Sequence, residues 1–319
     1  MMRKLRLFGA LFLLPWLLIA VFGSRYVAAA PAYAPPADPQ AWTVTLGHQV
    51  FTEVGAKPSW EADRFYPETI TINAGDSVTY KHDSGSEPHT ASFLGPDNKF
   101  PDFAIPECNG APCPPTPPGT QPGPPPPGVT VKVFLNPAIG FPAGGSSIDG
   151  SAYVNSGVIA QDIPGPKSST FTFSKPGTYT IVCLVHAVQL PDGTIVGMQS
   201  KVVVQAAGSA LPKTPDQVVA AAQADMAADE AEAKTDEAAA DAHKVVDSPG
   251  PNGTTIHHVD VSYTVFKPTY TFDYMRFTPD AITIYQGDTV EWSSPTAHTF
   301  HHITFGEEPE VFTIVPQTA

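Results

Sequence analysis

Cys183 and His186 stand three residues apart in Ile181-Val182-Cys183-Leu184-Val185-His186, and eleven residues then separate His186 from Met198. A thiolate, an imidazole and a thioether at that spacing can turn toward one metal. The first two must sit at the end of one strand and the third just before the next. A second imidazole is available at His89, in Glu87-Pro88-His89-Thr90. Two imidazoles, one thiolate and a weak thioether form a copper donor set. Soft sulfur accepts Cu(I) and imidazole suits both oxidation states, so one electron can come and go with little rearrangement. Zinc also takes Cys and His, but Gly197-Met198 and Pro88-His89-Thr90 favour copper, one ion per chain. Gln189 is the alternative axial donor. His82, beside Asp83, reads as a surface-loop histidine.

Strands must position these groups. Residues 170–174 alternate, with Phe171 and Phe173 on one face, and Lys175-Pro176-Gly177-Thr178 is a turn. Tyr179, Ile181 and Cys183 then share one face of the next strand, because side chains alternate along a strand. Residues 202–204 return as another. Thr69–Asn73 and 77–81 pair ahead of His89, and Ala41–Val50 reads as a first strand. His186 is expected to present its ring edge at an apolar rim of Leu184, Val185, Ala187 and Val188.

Several stretches resemble the cupredoxin family, the plastocyanin and azurin type of electron carrier. They are Phe65-Tyr66-Pro67-Glu68-Thr69-Ile70-Thr71-Ile72, Gly75-Asp76-Ser77-Val78, Pro88-His89-Thr90, Pro176-Gly177-Thr178-Tyr179, Cys183-x2-His186 and Gly197-Met198. The resemblance covers both ends of residues 42–206 and not the middle. It implies an all-β, Greek-key sandwich with copper held by His89, Cys183, His186 and Met198. The loop from His186 to Met198 is longer than the usual plastocyanin ligand loop, which keeps Gln189 open as the axial donor.

Between the two ends lies an insert, residues 94–168. Cys108 and Cys113 are expected to close a small disulfide loop, which leaves Cys183 as the odd thiol. Pro runs over 114–128 suggest exposed polyproline II, 129–135 a strand, and the Gly- and Ser-rich 143–159 an irregular flap. Residues 207–255 read as an acidic helical linker. Thr214-Pro215-Asp216-Gln217 opens its helix as cap, first turn and capping box. An Ala/Asp/Glu run follows, with the character of a solvated spacer.

After the linker the chain repeats itself. Residues 64–93 and 276–305 align without a gap at an offset of 212 and match at eleven of thirty positions, with His89 falling on His301. The counterpart of Cys183 would fall beyond Ala319. Residues 256–319 are therefore read as the N-terminal half of a second cupredoxin-like sandwich, with His301 a weak second-site candidate beside His298 and His302.

Residues 1–29 read as a secretory signal: Arg3, Lys4 and Arg6, an apolar run, then Val27-Ala28-Ala29. Residues 30–41 form a Pro/Ala tether. Left uncleaved, the apolar run would tether the chain to a membrane; cleaved, it sends the chain to the periplasm or outside the cell. The net charge of −14 disfavours nucleic acid and favours a basic redox partner. Removing four cationic residues leaves 13 Lys and Arg against 31 Asp and Glu, or −18. The expected function is single-electron carriage. Alternatives are a nitrite-reductase-like or oxidase-like copper enzyme, which needs a second, open copper position, or copper storage and delivery.

Overall fold

The computed structural model describes residues 38–50, 60–82, 87–114, 127–161, 164–294, 301 and 303–306. The expected signal, most of the tether, His298, His302 and most of the Pro runs lie outside the described residues. Among those described, no helix is long and apolar enough to cross a membrane.

The protein is an all-β sandwich. Its first sheet is built on β1 (Ala41–Val50), β2 (Trp60–Tyr66) and β4 (Ser77–His82), with Ser168–Phe173 beside β4. β1 runs parallel to β4 and antiparallel to β2. The second sheet runs from β3 (Thr69–Asn73) through Ile195–Gln205 and Gly177–Gln189 to Ser92–Phe93, Val154–Ser156 and Pro142–Ala143. Trp42, Phe65, Ile72, Tyr80, Phe173 and Ile181 are buried between the sheets, as two facing sheets with alternating inward side chains require.

The first sheet continues past β2. Thr271–Thr278 pairs antiparallel with β2, Thr255–Phe266 pairs with Thr271–Thr278, and Thr289–Ser293 lies parallel to Thr255–Phe266. The pattern of β1, β2 and β4 thus recurs in order. So do its polar fixings. Asp76 accepts from Trp42 Nε1 and from the Gln40 and Asn73 amides. Asp288 meets His257 Nε2 and accepts from the Thr255 and Tyr285 amides. The recurrence stops at β3. Ile70 and Ile72 are 3% and 0% exposed, whereas Ile282 and Ile284, at the matching positions, are 38% and 50% exposed. β3 is held by parallel pairing to Ile195–Gln205. Among the described residues nothing plays that part for 281–285, which form no strand.

The acidic helix spans Pro215–Ala242, with the expected capping box between Thr214 and Gln217. It is not a solvated spacer. It lies against the outer face of the first sheet, with Ala222, Ala233 and Ala240 on Trp60, Tyr66, Phe272 and Tyr274. Its acids meet the sheet's cations. Asp229 pairs with Arg64, Glu232 and Asp236 with Lys267, and Asp241 with Arg276. Small side chains let the helix approach closely, and the charge pairs replace the missing apolar stripe.

In the insert, Ala104–Cys108, Ala111–Pro112 and Val131–Leu135 form a small sheet carrying the Cys108–Cys113 disulfide. The stretch expected to be an irregular flap is largely structural. Val154–Ser156 joins the second sheet, and Asn155 Nδ2 donates to the carbonyls of Ala138, Ile139 and Phe141.

Candidate metal centre

Pairing between Gly177–Gln189 and Ile195–Gln205 is regular up to Val182↔Gln199. It breaks, then resumes at Ala187↔Gly197. Four residues, Cys183 to His186, therefore stand opposite the single residue Met198. A bulge of this kind re-aims side chains, and here Cys183, His186 and Met198 are all buried; they lie inside Gly177–Gln189 and Ile195–Gln205, not at the strand ends the sequence suggests. The third donor comes from beside the neighbouring strand Ser92–Phe93 of the same sheet, which pairs with Gly177–Gln189 at Val182↔Ser92. His89 is fixed by a two-way backbone bridge to Ile159, N to O in both directions, at 3.0 and 2.8 Å. The end of the insert thus anchors this histidine.

The three donors converge. His89 Nδ1 lies 3.0 Å from His186 Nδ1, and Cys183 Sγ lies 3.9 and 3.7 Å from those two nitrogens. Atoms bound to one ion at about 2.0–2.3 Å are separated by about these distances, so the residues fit a bound copper. The Thr90 amide donates to Cys183 Sγ at 3.3 Å, and Thr90 Oγ1 accepts from Leu184 N at 2.8 Å. Met198 is buried in the same core as Cys183. Gln189 is occupied elsewhere: its Nε2 donates to Asn98 O at 2.6 Å and its Oε1 accepts from Phe100 N at 3.4 Å. Burial pushes the Cys183 thiol up to about 11 and His89 down to about 4. The imidazole is thus neutral and ready to bind, while the thiol gives up its proton only in exchange for a cation.

Two sequence expectations about histidines are corrected. His186 does not present its edge at the surface. It is 1% exposed, with Nε2 3.8 Å from Glu87 Oε2. His82 is not a surface-loop residue. It is buried with its ring centroid 5.3 Å from that of His89, and its Nε2 lies 2.9 Å from Glu87 O. His301 is exposed and does not join the cluster of His89, Cys183 and His186.

Sequence reasoning missed Glu61 and Asp63. On β2, Trp60, Ala62, Arg64 and Tyr66 face the helix, so Glu61 and Asp63 share the inner face with Phe65. That alternation was the available signal: acids on the core side of a strand. Both are fully buried. Glu61 Oε1 lies 3.2 Å from His89 Nε2, and Asp63 Oδ1 lies 3.3 Å from His186 Nδ1. Across the β2 edge, Asp273 is the register partner of Glu61 and is buried too. Burial first, then neighbouring carboxylates, raises Glu61 well above the usual range; burial is also the main cause of the rise at Asp63.

No protein-family model matches the chain, and no curated protein matches its sequence. Solved structures similar to it include a mutant amicyanin in its Cu(I) form, at 14% identity over 52% of this chain and 82% of that one, TM-score 0.23. An oxidized amicyanin mutant matches at 16% identity over 55% and 98%, TM-score 0.23. The oxidized plastocyanin of Dryopteris crassirhizoma matches at 21% identity over 51% and 99%, TM-score 0.23.

Proposed function

We propose that the chain is an exported type 1 copper protein of the cupredoxin kind that carries single electrons between redox partners. The observation that carries this reading is the convergence of His89 Nδ1, His186 Nδ1 and Cys183 Sγ opposite Met198, inside a sandwich closed to solvent. His89, Cys183 and His186 would hold one copper, with Met198 as the axial donor. The bound ion supplies a Cu(II)/Cu(I) couple. The chain's part is to keep the His89 imidazole neutral, to exchange the thiol proton for the ion, and to exclude water by burial. Because His186 is covered, the short way to the surface runs past Glu87, whose side chain is 25% exposed. On the same reading residues 256–319 are the first half of a second sandwich of this type, and residues 1–29 direct export.

The test is to load the full chain with Cu(II), count copper and record visible and EPR spectra. One copper with an intense thiolate charge-transfer band, lost in Cys183→Ser with folding retained, supports the carrier. A serine variant that kept the band, or a wild-type chain without one, would overturn it. A second, colourless copper with turnover would point to an enzyme instead.

A further inference from the structure

We propose that Glu61 is a positioning residue for the ligand His89, and that Asp63, 3.3 Å from His186 Nδ1, places a second buried carboxylate beside the centre. Glu61 accepts the Nε2 hydrogen of His89 and so commits Nδ1 to the metal. The two carboxylates together bias the centre toward Cu(II). The inference rests on the copper reading above and concerns how this chain sets its own centre.

The contact is built in. Glu61 Oε1 and His89 Nε2 are 3.2 Å apart and both side chains are fully buried. Room for them is kept by Gly47, where the β1–β2 ladder bulges at a φ of +66°. A Cβ there would lie 2.3 Å from His89 Nε2 and 2.9 Å from Glu61 Oε1. The second oxygen, Glu61 Oε2, is buried with no hydrogen-bond partner. The charged groups acting on Glu61 are Glu87 and Asp273, both acids, and Glu61 in turn acts on Asp63. No described lysine or arginine pairs with Glu61. A carboxylate on the far nitrogen of a ligating imidazole fixes its tautomer and raises its basicity. Burial holds both carboxyls above their usual range in the metal-free chain, but a bound cation would favour their ionised form, and negative charge beside a metal favours the state with the higher positive charge. With a thiolate bound, that state is Cu(II), at net +1 against zero for Cu(I).

Glu61→Gln keeps an acceptor and removes the charge, whereas Glu61→Leu removes both. Full-length copper-loaded protein is compared by spectroelectrochemistry, EPR and copper release to a chelator. Glu61→Gln is expected to keep the thiolate band while the Cu(II)/Cu(I) equilibrium shifts about tenfold toward Cu(I), about 59 mV for one electron. Glu61→Leu should add a changed copper hyperfine pattern and about 10–100-fold faster release. Asp63→Asn should shift the potential in the same direction, and it serves as the test if Glu61 variants do not fold. Asp149→Asn, at an exposed acid paired with Lys175, should leave the potential unchanged. A wild-type potential in Glu61→Gln, or in Asp63→Asn where that is the test, overturns the proposal while the band leaves the copper reading standing. A wild-type chain with no thiolate band fails the copper reading itself.

Discussion

Gly47 shows how little room the centre leaves. Its positive φ costs an L-residue about 1–2 kcal/mol, and the overlap with His89 adds to that. Gly47→Ala is expected to lose at least about 1–2 kcal/mol in chemical denaturation and to weaken copper binding measured by competition. An alanine variant with wild-type affinity would mean that His89 is free to move. The buried acids leave a second mark on the metal-free protein. Glu61 has its folded pKa raised above its unfolded value, so its contribution is favourable below the unfolded pKa and is lost as pH rises. Metal-free Glu61→Gln should therefore be more stable than wild type at pH 7, by about 1–3 kcal/mol. The gap should close by about pH 4. His89, lowered to about 4 by burial, works the other way: its contribution is present above about 6.5 and falls away as pH drops toward 4. Because Glu61 and His89 are in contact, comparing the two proteins at each pH reads the pair together.

The long helix is held by chemistry that a hydrophobic pattern does not reveal. Asp229 is buried and receives Arg64 Nη1 at 2.6 Å and the Tyr66 hydroxyl at 2.5 Å. Removing one member of such a pair strands the other, and Asp229→Ala is expected to cost about 3 kcal/mol in urea unfolding. Asp225→Asn, on the same helix without a described partner, should change stability by less than about 0.5 kcal/mol. Equal effects would mean that the helix rests on the sheet without depending on these pairs. The pairing also bears on partner recognition. Glu230, Glu232, Asp236, Glu237 and Asp241 face His48, Lys267 and Arg276. Much of the helix's charge is thus answered within the molecule, and its pull on a basic partner is weaker than its composition implies.

Across the whole molecule, β2 and Thr271–Thr278 join two similar three-strand units edge to edge. Glu61 pairs with Asp273, its own counterpart at the 212-residue offset, so the junction lies on an approximate two-fold. The first unit is covered by a second sheet; the second unit is not, among the described residues. Amides of 281–285 should therefore exchange with solvent roughly 1000-fold or more faster than those of Thr69–Asn73, since the former open locally and the latter only with the core. Ile72→Ala should cost about 2–5 kcal/mol and Ile284→Ala under about 1 kcal/mol. Matching protection in the two segments would show that 281–285 gain a covering partner in solution.

Spacing along the chain made some of this legible. Cys183-x2-His186, the downstream Met198 and Pro88-His89-Thr90 are short motifs, and the structure brings the three Cys and His donors together, though Cys183, His186 and Met198 lie at a bulge inside their strands and not at the strand ends. The helix start at Thr214-Pro215 and the 212-residue offset were equally visible, because caps and repeats are properties of neighbouring or aligned residues. What lies around the donors was decided by tertiary structure. Glu61 and Asp63 matter only once β2 turns its inner face to His89 and His186, residues distant in sequence. His186 is hidden because Glu87 crosses its Nε2, and the helix docks because Arg64, Lys267 and Arg276 await its acids. Burial and charge pairing depend on which distant strands meet, and no local pattern encodes that.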